Sequence, residues 1–293
     1  WSLAVIARSN PGKRPALFHP EGDTTETLEI PTDEDEMIRA IEKLRKAVER
    51  ARPKKGRLRG FLTLALLTAG VSAAIFLLPN AVVDQAIKVV PDVKRAEIGN
   101  ALLTQMQRAT GKPCSSPSAN PALVALTRRM TLGEEPTYLA VMRAGVKEAI
   151  HIPGGVILLS RTMVEDYESP DVLAGYIIAE QVRRETRDPL RHLLESAGLV
   201  ATLRLLTTSR MPESAIEDHA KQLLTEKRAP LPTPALLARF ETLEIPSSTY
   251  GYAVDVTGEL TLPLIEGDPL AGATQEPVLP DSAWVRLQAI CEG

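Results

Sequence analysis

From Gly60 to Val83 the chain carries no charged side chain, reading GFLTLALLTAGVSAAIFLLPNAVV. The centre of this run, Phe61–Leu78, rises about 27 Å as a helix, at roughly 1.5 Å per residue. Crossing the hydrocarbon of a bilayer takes about 20 mostly apolar residues, with a lower limit near 17. The competing assignment is the core helix of a soluble protein, but soluble helices of this length ordinarily keep a polar face. A single transmembrane helix is therefore expected over 61–78, with membrane lipid as its first partner.

The flanks give the orientation. Arg50, Arg52, Lys54, Lys55, Arg57 and Arg59 precede the run, whereas the first charges after it are Asp84 and Lys88. Short basic flanks stay on the cytoplasmic side. The expected protein is single-pass in the inner (plasma) membrane, with residues 1–52 cytoplasmic and 84–293 in the periplasm or an equivalent outer space. A cleaved signal peptide fits less well. The run ends in Leu-Leu-Pro without a small-x-small site, and about 60 residues come before it.

Residues 1–52 read as a small strand-and-helix segment. Trp1–Ala7 and Thr25–Ile30 are strand-like, and Asn10-Pro11-Gly12 and Pro20-Glu21-Gly22-Asp23 are turn signals. Thr32 followed by Asp33–Glu36 opens a helix, because acids suit its positive N-terminal end. Met37, Ile38, Ile41, Leu44 and Val48 then recur at helical spacing. This helix is expected to pack on the strands, with self-association as the alternative. A basic linker, 53–60, leads into the span.

The outer part is expected to be α+β and mostly helical. A helix is expected over 94–110, strands over 122–130, 138–144, 148–152 and 156–159, and helices from Ser169, over 190–207, from Pro212 to Thr225 and over 235–243. Tyr250–Val256 is strand-like, and a last helix falls near 281–291. Two cysteines, Cys114 and Cys291, both follow the span. In an oxidising outer space they are candidates to pair; two free thiols are the alternative.

Charge and composition exclude one class. With 34 basic and 37 acidic residues and 4% aromatics, the chain has neither the basic excess nor the stacking residues that nucleic-acid binding needs. The expected protein partners are other membrane or periplasmic proteins. Familiar catalytic signatures are missing: no G-x-S-x-G elbow, no phosphate-binding G-x-x-x-x-G-K-[ST], no G-x-G-x-x-G and no C-x-x-C. The histidines are His19, His151, His192 and His219. His192 and Glu195 are three apart on a helix, a spacing that suits a surface ion pair.

One stretch orders a strand, Ala149-Ile-His-Ile-Pro153-Gly154-Gly155, another strand, and a helix Asp171-Val-Leu-Ala174-Gly-Tyr-Ile-Ile-Ala179-Glu180-Gln-Val-Arg183. It resembles the membrane-linked zinc metallopeptidases related to the CAAX prenyl protease, of gluzincin type. In these an A-x-x-x-P-G-G segment precedes D/E-L-A-x-x-x-x-H-E-x-x-H. The resemblance covers roughly residues 84–225 and implies a zincin-like fold. It puts Glu180 on the general base, Ala179 and Arg183 on the two histidine ligands, and Glu213 on the glutamate ligand. It also makes the strand edge beside Pro153, Gly154 and Gly155 a candidate peptide-binding edge.

The departures decide the chemistry. Residues four apart share a helix face, which is how the family aims two imidazoles at one zinc. Ala179 has no lone pair, and Arg183 has five donors, a permanent charge and no acceptor. Glu213 alone does not hold zinc, whose catalytic sites use three protein ligands. Neither a zinc cofactor nor catalysis by Glu180 is therefore expected. Arg183 is expected either to pair with Glu180 and Glu213 or to point into water. The function expected is a catalytically degenerate peptidase-like module that binds, scaffolds or regulates at the outer membrane face. An active metallopeptidase with ligands from His151, His192 or His219 is one alternative, and a transmembrane signal relay is another.

Overall fold

The computed structural model of the protein describes residues 1–2, 5–51, 57–132, 137–273 and 276–292. The expected linker 53–60 lies outside these residues up to position 56. The fold is α+β, mostly helical, with two three-stranded sheets. It divides into two compact units, Trp1–Ser72 and Ala73–Gly293.

In the first unit β1 (Ile6–Arg8), β2 (Ala16–Pro20) and β3 (Leu28–Ile30) form an antiparallel meander. Asn10 ties the first turn by accepting from the Leu17 N–H and donating to the Pro15 carbonyl. Helix α1 (Asp35–Ala51) follows. Its Ile38 and Ile41 pack with Ile6, Ala16, Phe18 and Ile30 into one small core, and Arg8 of β1 pairs with Glu42. Met37 and Leu44 stay exposed.

Helix α2 (Arg57–Val89) contains the apolar run. It is the one helix among the described residues long and apolar enough to cross a membrane. It continues past the expected end at Leu78, with Pro79 inside it. Its last turns belong to the second unit, where Val83 and Ala86 are buried. Arg191 pairs with Asp84, and Arg95 donates to the Ile87 carbonyl at 2.7 Å and to Asp188 at 2.7 Å. The residues expected to form a separate segment after Leu78 are thus held in the helix by partners from its own unit.

The second unit is built around β4 (Tyr138–Met142), β5 (Ala149–Ile152) and β6 (Val156–Ser160), in the order β4-β6-β5. β4 runs parallel to β6, and β5 antiparallel to it. Side chains alternate across the sheet. Val141, Ile157 and Leu159 enter one core with α4 (Asn120–Met130), α6 (Pro170–Thr186), α9 (Thr233–Thr242), α10 (Ser247–Val254), α11 (Leu262–Glu266) and α12 (Asp281–Gln288). Met142, Ile150, Ile152 and Leu158 enter the other, with the end of α2, α3 (Asp92–Thr110), α7 (Pro189–Thr208) and α8 (Glu213–Thr225). The short α5 (Arg161–Glu165) links β6 to α6. Because both faces are covered, the strands are mostly apolar, with His151 the interruption in β5.

Two expected strands are helices. Ala122–Met130 lies in α4, opened by Pro121, and Ala122, Leu126 and Met130 bury one face at a four-residue spacing. Tyr250–Val256 overlaps α10. Its aromatics favour strands, but Tyr250 packs against the open face of Gly175 and edge-on to Tyr176, 5.1 Å between centroids.

The turn Pro153–Gly155 is docked onto α3. A Cβ on Gly99 would stand 1.9 Å from the Pro153 carbonyl oxygen, and Gly154, at φ +85°, lies against the Ala96 backbone. Only glycine permits this approach.

Cys114 and Cys291 form a disulfide, with their Cα atoms 4.8 Å apart. Cys114 extends the free side of β4, its N–H donating to the Val141 carbonyl at 2.7 Å. Cys291 lies in a 3-10 turn, Ala289–Cys291, after α12. The bond joins the C-terminus to the sheet.

Candidate functional site

The site centres on the outer edge of β5. Ser160 N–H donates to the Glu148 carbonyl, and Ile150 and Ile152 stand opposite Leu158 and Val156. In an antiparallel ladder the bonded positions alternate. The backbone groups of Ala149 and His151 therefore point away from β6. The His151 N–H is taken, donating to Glu180 Oε2 at 3.1 Å. Ala149 opens into a cleft of about 500 Å³. Leu223, Leu236, Tyr250 and Leu264 form its apolar lining, and Lys147 and Glu148 stand at its rim.

Glu180 sits on α6 with its side chain 4% exposed. Its Oε1 accepts from Arg183 Nε at 3.1 Å, and Arg183 Nη1 donates to the Ala229 carbonyl at 2.6 Å. The Glu180 carboxylate is thus held by one guanidinium and one strand N–H. Ala179 is buried in the apolar core. Glu213 is elsewhere: it begins α8 against α3, where Gln105 Nε2 donates to it at 3.4 Å. The expected pairing of Arg183 with Glu213 is corrected on this ground: Glu213 lies against Gln105 of α3, and Arg183 bonds Glu180 and the Ala229 carbonyl instead. Pro153, Gly154 and Gly155 are corrected as the peptide edge too. They are covered by α3, and the open part of the edge lies at the other end of β5.

These positions do not suit zinc. They offer a methyl group, a cation already bonded to the neighbouring carboxylate, and a glutamate directed to another helix. Among the described residues no group of three or more His, Cys, Asp or Glu side chains is placed to hold a metal ion.

The histidines have other tasks. His192 and His219 stack edge to face, 4.9 Å between centroids. His192 Nε2 lies 3.2 Å from Glu226, while Glu195 pairs with Arg187 and Arg191, so the expected His192–Glu195 pair is not formed. Ser196 Oγ donates to the Leu193 carbonyl and lies 2.9 Å from His219 Nδ1.

Burial holds His219 down to about 4, with His192 adding to the shift. Burial also holds His151 down to about 4, followed by repulsion from Arg184. Both are neutral in the folded state and ordinary in the unfolded one. Between pH 6.5 and 4 the unfolded chain binds more protons, so stability falls as pH falls through that window. Each histidine contributes a slope of up to about 1.4 kcal/mol per pH unit. Urea midpoints at pH 7 and pH 5 check this; equal midpoints would remove the buried-neutral assignment.

No family model matches the chain, and no curated protein matches it.

Sequence reasoning named Glu180 and Arg183 but missed Ala149, Tyr250, Lys227 and Arg228 as parts of one site. A weak signal was present. A histidine inside the apolar strand Ala149-Ile-His151-Ile and a Lys-Arg pair before a proline-rich stretch are both out of place in plain structural elements.

Proposed function

We propose that this chain is a single-pass membrane protein whose outer domain binds extended peptides along β5 without cleaving them. The observation that carries this is the Ala149 backbone, which faces away from β6, has no hydrogen-bond partner among the described residues and lines a cleft of about 500 Å³ with apolar and charged walls. Strand addition needs only backbone hydrogen bonds and side-chain pockets, so it survives loss of catalysis. The resemblance to membrane-linked zinc peptidases supports a zincin-like ancestry. In that ancestry Arg183 now neutralises the general-base carboxylate, and the metal ligands are gone.

The apolar α2 and the basic residues before it support a span with residues 1–52 in the cytoplasm and the larger unit outside the plasma membrane. The disulfide agrees with an oxidising outer space. Partners of this module are other membrane or periplasmic proteins, held for scaffolding or regulation.

A photoreactive amino acid at Glu148, an exposed rim position, tests the reading in intact membranes, with the exposed Val200 of α7 as control. Crosslinks to polypeptide from 148 and not from 200 are expected. Identical crosslinks from both positions, or none from 148, would refute a peptide site on this edge.

A further inference from the structure

A second cavity of about 220 Å³ adjoins the β5 cleft and shares Arg183 and the 226–231 segment with it. Its lining carries Arg183, Arg184, Arg187, Lys227 and Arg228 beside Glu180 and Glu226, with Arg187 paired to Glu195. Glu180 is already matched by Arg183, and Glu226 lies against His192. Lys227 and Arg228 carry no ion pair among the described residues.

His151 reaches the same wall with an unmet requirement. Its Nδ1 faces the Glu180 carbonyl at 3.3 Å and so carries the hydrogen. Nε2 is buried and has no hydrogen-bond partner among the described residues. As the acceptor nitrogen of a neutral imidazole it can be met only by a donor such as a peptide N–H, not by a carboxylate, so it marks where peptide backbone would lie beside the cationic wall.

The geometry of the edge says where such a ligand comes from. A peptide strand pairing with Ala149 and advancing toward His151 finds the next outward N–H already held by Glu180. Pairing stops there, and the cationic cavity begins there. We propose that the cavity takes the carboxylate of an extended peptide whose backbone is paired with β5. Guanidinium forks match a planar carboxylate in bidentate fashion, and the small volume suits one such group. The carboxylate is either the peptide's own C-terminus or an acidic side chain at its last paired residue. This inference rests on the peptide-binding reading above.

The test uses the full chain in nanodiscs and four N-acetylated Val-Thr hexapeptides: a free acid, its C-terminal amide, an amide with a terminal Glu, and the same with Gln. At least one carboxylate peptide should bind about tenfold tighter than its neutral counterpart, a difference of about 1.4 kcal/mol. The free-acid arm identifies a C-terminus, and the Glu arm a side chain. In a K227A/R228A variant the gap should close; both positions lie in an irregular segment, Lys227 exposed, and an unchanged melting temperature verifies folding. Equal binding of all four peptides, or a gap that survives in the variant, overturns the carboxylate site and leaves peptide binding standing. No binding of any peptide to the wild-type chain overturns the peptide-binding reading and this inference with it.

Discussion

Replacing Arg183 with alanine should lower the unfolding free energy by about 3 kcal/mol, and adding Glu180→Gln should recover most of that loss. Glu180 is buried, and its carboxylate has two supports, Arg183 Nε and the His151 N–H. Removing the guanidinium leaves a buried anion with a single neutral donor. Breaking a buried pair from one side typically costs about 3–5 kcal/mol. Arg183 is itself 21% exposed, which places the cost at the lower end. The double variant removes the charge that needed neutralising and keeps an oxygen acceptor for the strand N–H. Denaturant unfolding of the wild type, both single variants and the double variant measures the coupling. A loss below about 0.5 kcal/mol for Arg183→Ala, the ordinary range for surface sites, would mean that the pair holds nothing in place.

Replacing Cys114 and Cys291 with serine should cost about 4 kcal/mol. The bond closes a sequence separation of 177 residues. In the chain-entropy account long loops lose the most freedom on closure, and removing a native disulfide typically costs about 2–5 kcal/mol. Both cysteines are buried, and the bond clamps the C-terminal turn onto the segment that bonds the free side of β4. The loss should appear as a lower melting temperature and as early protease cleavage near α12. The same pair reports on topology. Chain recovered from its membrane under alkylating, non-reducing conditions should carry no alkylated cysteine. Two alkylated cysteines would place the outer unit in a reducing space and invert the proposed orientation.

Much of the architecture could be read from the sequence because local and tertiary preferences agree. The uncharged run is a helix, and 138–225 orders strands and helices largely as expected, since Pro, Gly and Ser mark nearly every boundary. Ala122–Met130 misled because a short apolar run has the same composition in a buried helix and in a strand. Tyr250 misled because its strand preference is overridden by packing on Gly175. The candidate site was legible only within α6. The Glu180–Arg183 pair follows from a spacing of three on one helix. What Glu213, Pro153 and Ala149 do depends on which helix covers them. That is decided by distant contacts, such as Gly99 of α3 receiving the Pro153 carbonyl, which no local pattern carries.

On the proposed reading, the second unit binds an extended peptide at β5 and holds no zinc beside it. Full-length protein expressed with supplemental zinc, purified, then assayed for bound metal and incubated with an unfolded protein substrate tests it most directly. The expected result is substoichiometric zinc and an uncleaved substrate that nonetheless crosslinks to a photoreactive group at Glu148. One zinc per chain, removed by chelator together with cleavage of the substrate, would contradict it.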